Sequence, residues 1–129
     1  MTCDIITDKK VWESFVVAHG GNFLHSWQWG EFNTSLGHAT IRCGLYDKSR
    51  LVLVCLVLII KAKRGTFLFV PHGPLIDTAT HDFASTFTLF LTELIQIAKK
   101  SHCSFIRISP LLEINETNMR IFPASGFRP

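Results

Sequence analysis

No stretch of this chain is apolar for long enough to cross a bilayer as a helix. The longest run, Leu51 to Ile60, supplies about half of the ~20 residues such a helix needs. No secretory signal is expected either, because Asp4, Asp8, Lys9 and Lys10 break up the N-terminus. The expectation is a cytoplasmic chain that does not span a membrane, which makes the sequon-like Asn115-Glu116-Thr117 a chance match. Charge of one sign is also scarce. Thirteen Lys and Arg against ten Asp and Glu leave a formal +3, too little to argue for nucleic acid without a clustered basic face. The small groups Lys61, Lys63, Arg64 and Lys99, Lys100 read as solvated ends of a strand and a helix. Cys3, Cys43, Cys55 and Cys103 lie far apart, without knuckle or redox spacing, and read as free, mostly buried thiols of a reducing compartment. The six histidines show no ligand spacing, so no metal site is expected. No Ser-His-Asp or Cys-His arrangement is readable, which disfavours a nucleophilic hydrolase. Repeats and low-complexity segments are absent.

What is present is a single domain's worth of chain. At 129 residues, 47% hydrophobic and only 18% charged, it can bury a genuine core. Thr7 or Asp8 can cap a first helix bearing Val11, Trp12, Phe15 and Val16, with Gly20-Gly21 as its stop. Ser26 can cap a second, short helix with Trp29, Phe32 and Leu36 on one face and Gly37 after it. Two helices are thus expected before any strand. Ile41, Cys43 and Leu45 alternate with polar neighbours as in a strand with one covered face, and 47–50 makes a turn. Leu51 to Ile60 then suits a central strand buried on both faces, and a third strand runs from Thr66 to Val70. Phe83, Phe87, Phe90, Leu91, Leu94, Ile95 and Ala98 form the stripe of a long helix ending in Lys99 and Lys100. A fourth strand, Ser104 to Ser109, puts Phe105 and Arg107 on one face, and a short helix is expected around Glu116 to Phe122. The fold class is α+β, helices against a mixed, mostly antiparallel sheet.

One segment fits neither strand nor helix. Val70-Pro71-His72-Gly73-Pro74-Leu75-Ile76-Asp77 carries two prolines that fix φ and remove donors, around a glycine that admits unusual backbone. It reads as a shaped loop between the third strand and the long helix.

That loop is one of four local matches to a known family. Phe23-Leu24-His25-Ser26-Trp27-Gln28-Trp29-Gly30-Glu31-Phe32 is similar to an N-terminal segment in which a Gln-Ser pair and a tryptophan open the second helix. Val70 to Asp77 is similar to a Pro-(Arg or Lys)-Gly-Pro-Val-x-Asp loop. Arg107-Ile108-Ser109-Pro110 is similar to an Arg-x-Asp-Pro strand end, and Gly126-Phe127-Arg128-Pro129 to the Gly-Phe or Gly-Tyr after the next helix. In this order and spacing the chain resembles the FemABX family of peptidoglycan-bridge aminoacyltransferases. The resemblance implies an N-acetyltransferase-like (GNAT) fold over 1–129, equivalent to the N-terminal half of a family member.

The implied activity is transfer of an amino acid from aminoacyl-tRNA, the donor in place of a bound cofactor, to the stem peptide of a peptidoglycan precursor. A second acyltransferase-like domain or a homo-oligomer is implied as partner, and the chain alone is expected to be incomplete. The implied substrate-binding residues are Trp27, Trp29, His72, Gly73, Asp77 and Arg107, with no catalytic residue assigned. Plainer readings compete: Trp29 as core, His72 as a solvated loop histidine, Gly73 as part of an ordinary strand-to-helix connection, Asp77 as a cap, Arg107 as an ion-pair partner; Trp27, off the Trp29 face, is the better candidate for an exposed aromatic contact. Three positions depart from the family pattern. His72 replaces a permanent cation, Glu31 stands where some members carry a phosphate-binding lysine, and Ser109 replaces an aspartate. Two other functions compete: an acyl-CoA-dependent N-acyltransferase, whose pyrophosphate would want a glycine-rich turn of free N–H groups, and a noncatalytic GNAT-like binding module.

Overall fold

The apolar run becomes the spine of the sheet. In the computed structural model of the chain, which describes residues 1–63, 65–77, 79 and 83–110, that run lies within β3 (Arg50–Ala62), whose residues 52–58 are buried. It pairs antiparallel with β2 (Ala39–Asp47) through a tight turn in which Lys48 takes φ 58°. On its other side it pairs with β4 (Gly65–His72) and then β5 (Leu75–Ile76), while β2 carries β1 (Thr2–Ile5) at its outer edge. β6 (Phe105–Pro110) runs parallel to β4, in register from Phe67↔Phe105 to His72↔Pro110. A parallel neighbour needs a crossover, and α3 (Phe83–Lys100) supplies it.

Two layers of helix close the sheet. Phe87, Phe90, Leu91, Leu94 and Ala98 of α3 pack on Cys43, Leu45, Cys55, Val57, Leu68 and Val70. Trp12, Phe15 and Val16 of α1 (Lys9–Ala18) pack on Val54, Leu56 and Leu58 on the opposite face, beside α2 (Trp27–Ser35). The caps are those read from sequence. Asp8 accepts from the N–H groups of Lys10 and Val11, and the Ser26 hydroxyl accepts from that of Trp29.

The structure corrects the sequence reading in three places. A strand, β1, precedes both helices. It was illegible because three of its four residues are exposed, so no alternation is written into it. The face of α2 differs too: Phe32 and Leu36 are 50% and 58% exposed, while Gly30 and Asn33 are buried. Finally the segment read as a loop is partly strand: β4 runs on through Pro71 and His72 rather than stopping at Val70, and Leu75–Ile76 pair with β3 as β5. Proline is tolerated there because the N–H of His72 points toward β6, so the missing donor of Pro71 faces the side where the β3 ladder has already ended at Phe69. The short helix expected at 116–122 and the 126–129 motif lie outside the described residues. Among the described residues, no helix is long and apolar enough to cross a membrane.

Candidate functional site

The segment from Pro71 to Asp77 is held from three sides. Pro71, Gly73 and Pro74 are buried, and the Gly73–Pro74 peptide is cis. A β-carbon on Gly73 would come within 2.8 Å of the Val70 side chain, so packing alone demands glycine there. His72 adopts φ 51°, a left-handed backbone that a histidine holds only when its surroundings insist. They do: its N–H donates to the Ser109 hydroxyl at 3.3 Å, and its carbonyl accepts from Nε2 of His25 at 2.6 Å.

His25 belongs to a short 3-10 turn, 23–25, between α1 and α2, where Asn22 is the cap. Its Nδ1 accepts the Asn22 N–H at 2.8 Å, and the Asn22 side chain accepts from the N–H of Leu24 through Oδ1 and reaches Nδ1 of His72 through Nδ2, at 3.0 Å. A backbone N–H can only donate and a carbonyl can only accept, so His25 is neutral with its proton on Nε2. Burial pushes its pKa down, which agrees with that state. The loop is therefore tied to the entry of α2 by a buried, fully committed imidazole.

Trp27 and Trp29 both pack against the α1-side core. The Arg42 guanidinium lies 3.6 Å over the Trp27 ring, donating to the Trp27 carbonyl at 2.9 Å and to Glu31 at 3.1 Å. Gly30 makes this arrangement fit, since a β-carbon there would approach Arg42 Nη2 to 2.5 Å. Beside it opens a pocket of about 260 Å³ lined by Thr7, Trp27, Thr40 and Arg42 among others. Trp29 sits between Phe23 and Phe32 with ring centroids 5.1 and 5.4 Å away. Among the described residues, Trp29 Nε1 and Arg42 Nε are buried without a hydrogen-bond partner.

Arg107, exposed on β6, lies over a stacked pair, 5.6 Å from the Phe67 ring and 5.9 Å from that of Phe105. Among the described residues no carboxylate pairs with it. Asp77 faces elsewhere. It accepts from Arg50 and from the N–H of Ala79, with His19 3.9 Å away. Burial alone would raise its pKa, but those donors outweigh it and hold the carboxyl below its usual range. Asp77 is thus an ionised loop anchor.

The six residues singled out from sequence therefore divide. His72, Gly73 and, through Ser109, the Arg107 strand end share one neighbourhood; Trp27 and Trp29 flank the α2 entry; Asp77 stands apart. Sequence reasoning passed over Asn22, Gly30 and Arg42. Two signals were available: Asn22 three residues before His25 has capping-box spacing, and a glycine inside a helix usually marks a close approach.

The four cysteines are free, as read from the sequence, with Cys43 and Cys55 buried. Far apart in sequence, three of them meet on the sheet: Cys43 pairs with Cys55 across β2 and β3, and Cys3 hydrogen-bonds Cys43. That bond, and then burial, push the Cys43 thiol up; burial does the same for Cys55. Both stay protonated and inert at neutral pH.

The family model of the FemAB family matches residues 7–126. The chain belongs to the FemAB family. A crystal structure of FemX superposes with a TM-score of 0.85 at 22% identity, covering 99% of this chain and 32% of FemX. This FemAB chain thus spans about a third of the length of that relative. An aminoglycoside 6'-N-acetyltransferase from Acinetobacter haemolyticus (TM-score 0.68, 12% identity) and a glucosamine-6-phosphate N-acetyltransferase from Arabidopsis thaliana (0.67, 12%) each match 100% of the FemAB chain over 92% and 93% of their own. The FemAB chain accordingly has the N-acetyltransferase-like α+β fold. No curated protein sequence matches it.

Proposed function

We propose that this chain is the N-terminal acyltransferase-like subdomain of an aminoacyltransferase that moves an amino acid from aminoacyl-tRNA to the stem peptide of a peptidoglycan precursor, working in the cytoplasm and incomplete alone. The observation that carries this reading is the family match across 7–126, supported by the likeness of the fold to FemX. Its partner in this reading is a second domain of the same architecture or another copy.

In that reaction the precursor amine attacks the ester carbonyl of the charged tRNA, a tetrahedral oxyanion forms, and the tRNA oxygen leaves as the amine gives up its proton. A protein face serves it by orienting the amine and supplying donors to the oxyanion or to substrate phosphates. The α2 entry, the His72 loop and the Arg107 strand end offer aromatic surface, an imidazole and a guanidinium for binding. Trp27, Trp29, His72, Gly73 and Arg107 are the residues assigned to it, and Asp77 supports the loop.

Thermal-shift measurements with a UDP-linked precursor, charged tRNA and acetyl-CoA, each alone, test the reading. Stabilisation by the precursor or the charged tRNA is the expected result. Stabilisation by acetyl-CoA alone replaces it with an acyl-CoA-dependent N-acyltransferase, and no shift with any of the three points to a noncatalytic binding module.

A further inference from the structure

We propose that Asn22 is a positioning residue that fixes His72 as a hydrogen-bond donor, its outward Nε2 carrying the proton, so that the loop presents a neutral N–H to an oxygen acceptor. Two contacts decide the orientation. Asn22 Oδ1 is committed to the N–H of Leu24 at 2.9 Å, so it is the amide nitrogen that faces Nδ1 of His72 at 3.0 Å. An amide nitrogen only donates, so Nδ1 of His72 accepts and the neutral ring's proton sits on Nε2. Among the described residues Nε2 of His72 has no partner and is not one of the buried unpaired atoms. The φ of 51° and the bonds from His25 and to Ser109 hold the ring's base in place, and His25 is itself locked by the Asn22 N–H.

Asn22 thus acts twice, once through its backbone on His25 and once through its side chain on His72. The consequence separates two roles for His72. A general base needs a free lone pair at the nitrogen facing substrate, and here the lone pair faces the protein instead. What remains is a donor suited to a phosphate, carboxylate or carbonyl oxygen, at the position where the resembled family carries a permanent cation. That the oxygen belongs to the precursor rests on the function proposed above; the proton's position does not.

Long-range proton–nitrogen NMR of the full chain, labelled in histidine, reads the tautomers directly. Both His25 and His72 are expected as Nε2–H at neutral pH, and Asn22→Asp, whose carboxylate only accepts, is expected to move the His72 proton to Nδ1. A wild-type His72 that is Nδ1–H, or averages between tautomers as exposed His102 should, overturns the proposal even if the variant does not fold. Adding the UDP-linked precursor then tests the acceptor. The expected result is a downfield shift of the His72 Nε2 proton and binding about tenfold weaker in His72→Ala, the loss of one good hydrogen bond, with recovery in the donor-retaining His72→Gln. Precursor binding that leaves the Nε2 proton unmoved overturns the donor role. No precursor binding at all, with the tautomers as expected, overturns the function proposed above and leaves the Asn22 assignment standing.

Discussion

The two faces of the sheet are built on different principles. Under α3 the interface is almost wholly apolar, with Phe87, Phe90 and Leu94 against Leu45, Val57 and Leu68, and Thr86 the one buried polar side chain on that helix. Under α1 and α2 the core is smaller, and its outer rim holds His25 and Asn33 buried, Arg42 against Trp27, and two polar nitrogens without partners among the described residues. Unpaired buried polar groups are unfavourable, so a fold does not accumulate them for stability. The α3 face stabilises the domain, and the α2 face is where the buried polar features collect.

The largest effect that could break this contrast is a cavity under α3. Phe87→Ala removes a fully buried ring stacked with Phe83 and tilted against Phe90 and is expected to destabilise the fold by about 3–5 kcal/mol in chemical denaturation. A loss below about 1 kcal/mol would show that this face is not the main source of stability. On the other face, Gly30→Ala forces the guanidinium off its partners and should cost about 1–2 kcal/mol. The sign should reverse in an Arg42→Ala background, where alanine's helix propensity is all that remains, a gain of up to about 1 kcal/mol. Additive effects would mean that Gly30 does not accommodate Arg42.

How much of this was legible follows the same division. The α3 stripe, the β2–β3 hairpin and both N-caps were readable because an apolar residue at a fixed period, or a hydroxyl or carboxylate at a boundary, has one physical use. Ile95 was the stripe's exception, lying at its exposed margin. Gly30 with Arg42, and Asn22 with His72, were not readable, because each pairs residues distant in sequence whose closeness only the assembled sheet reveals. β1 failed for the opposite reason: exposed on most of its length, it carries no pattern at all.

A smaller effect is pH. Burial lowers the His25 pKa, so the unfolded chain takes up a proton that the folded chain refuses. Stability should be level above pH about 6.5 and fall as pH drops below it, by at most about 1.4 kcal/mol per unit from this group, until the folded-state pKa is reached. Denaturation of wild type and His25→Leu across pH 5 to 8, roughly the histidine range, checks this. An unchanged slope in the variant would remove His25 as the source. Smallest is the Asp77 ion pair: with Arg50 more than half exposed, Arg50→Ala should lose no more than about 1 kcal/mol.

The contrast between the faces is tested most directly by hydrogen–deuterium exchange of the chain with and without the UDP-linked precursor. The expected result is protection of residues 20–31, 40–44, 68–76 and 104–109, with α3 unchanged. Protection confined to α3, or elicited by acetyl-CoA and not by the precursor, would contradict the assignment of the α2 face as the working one.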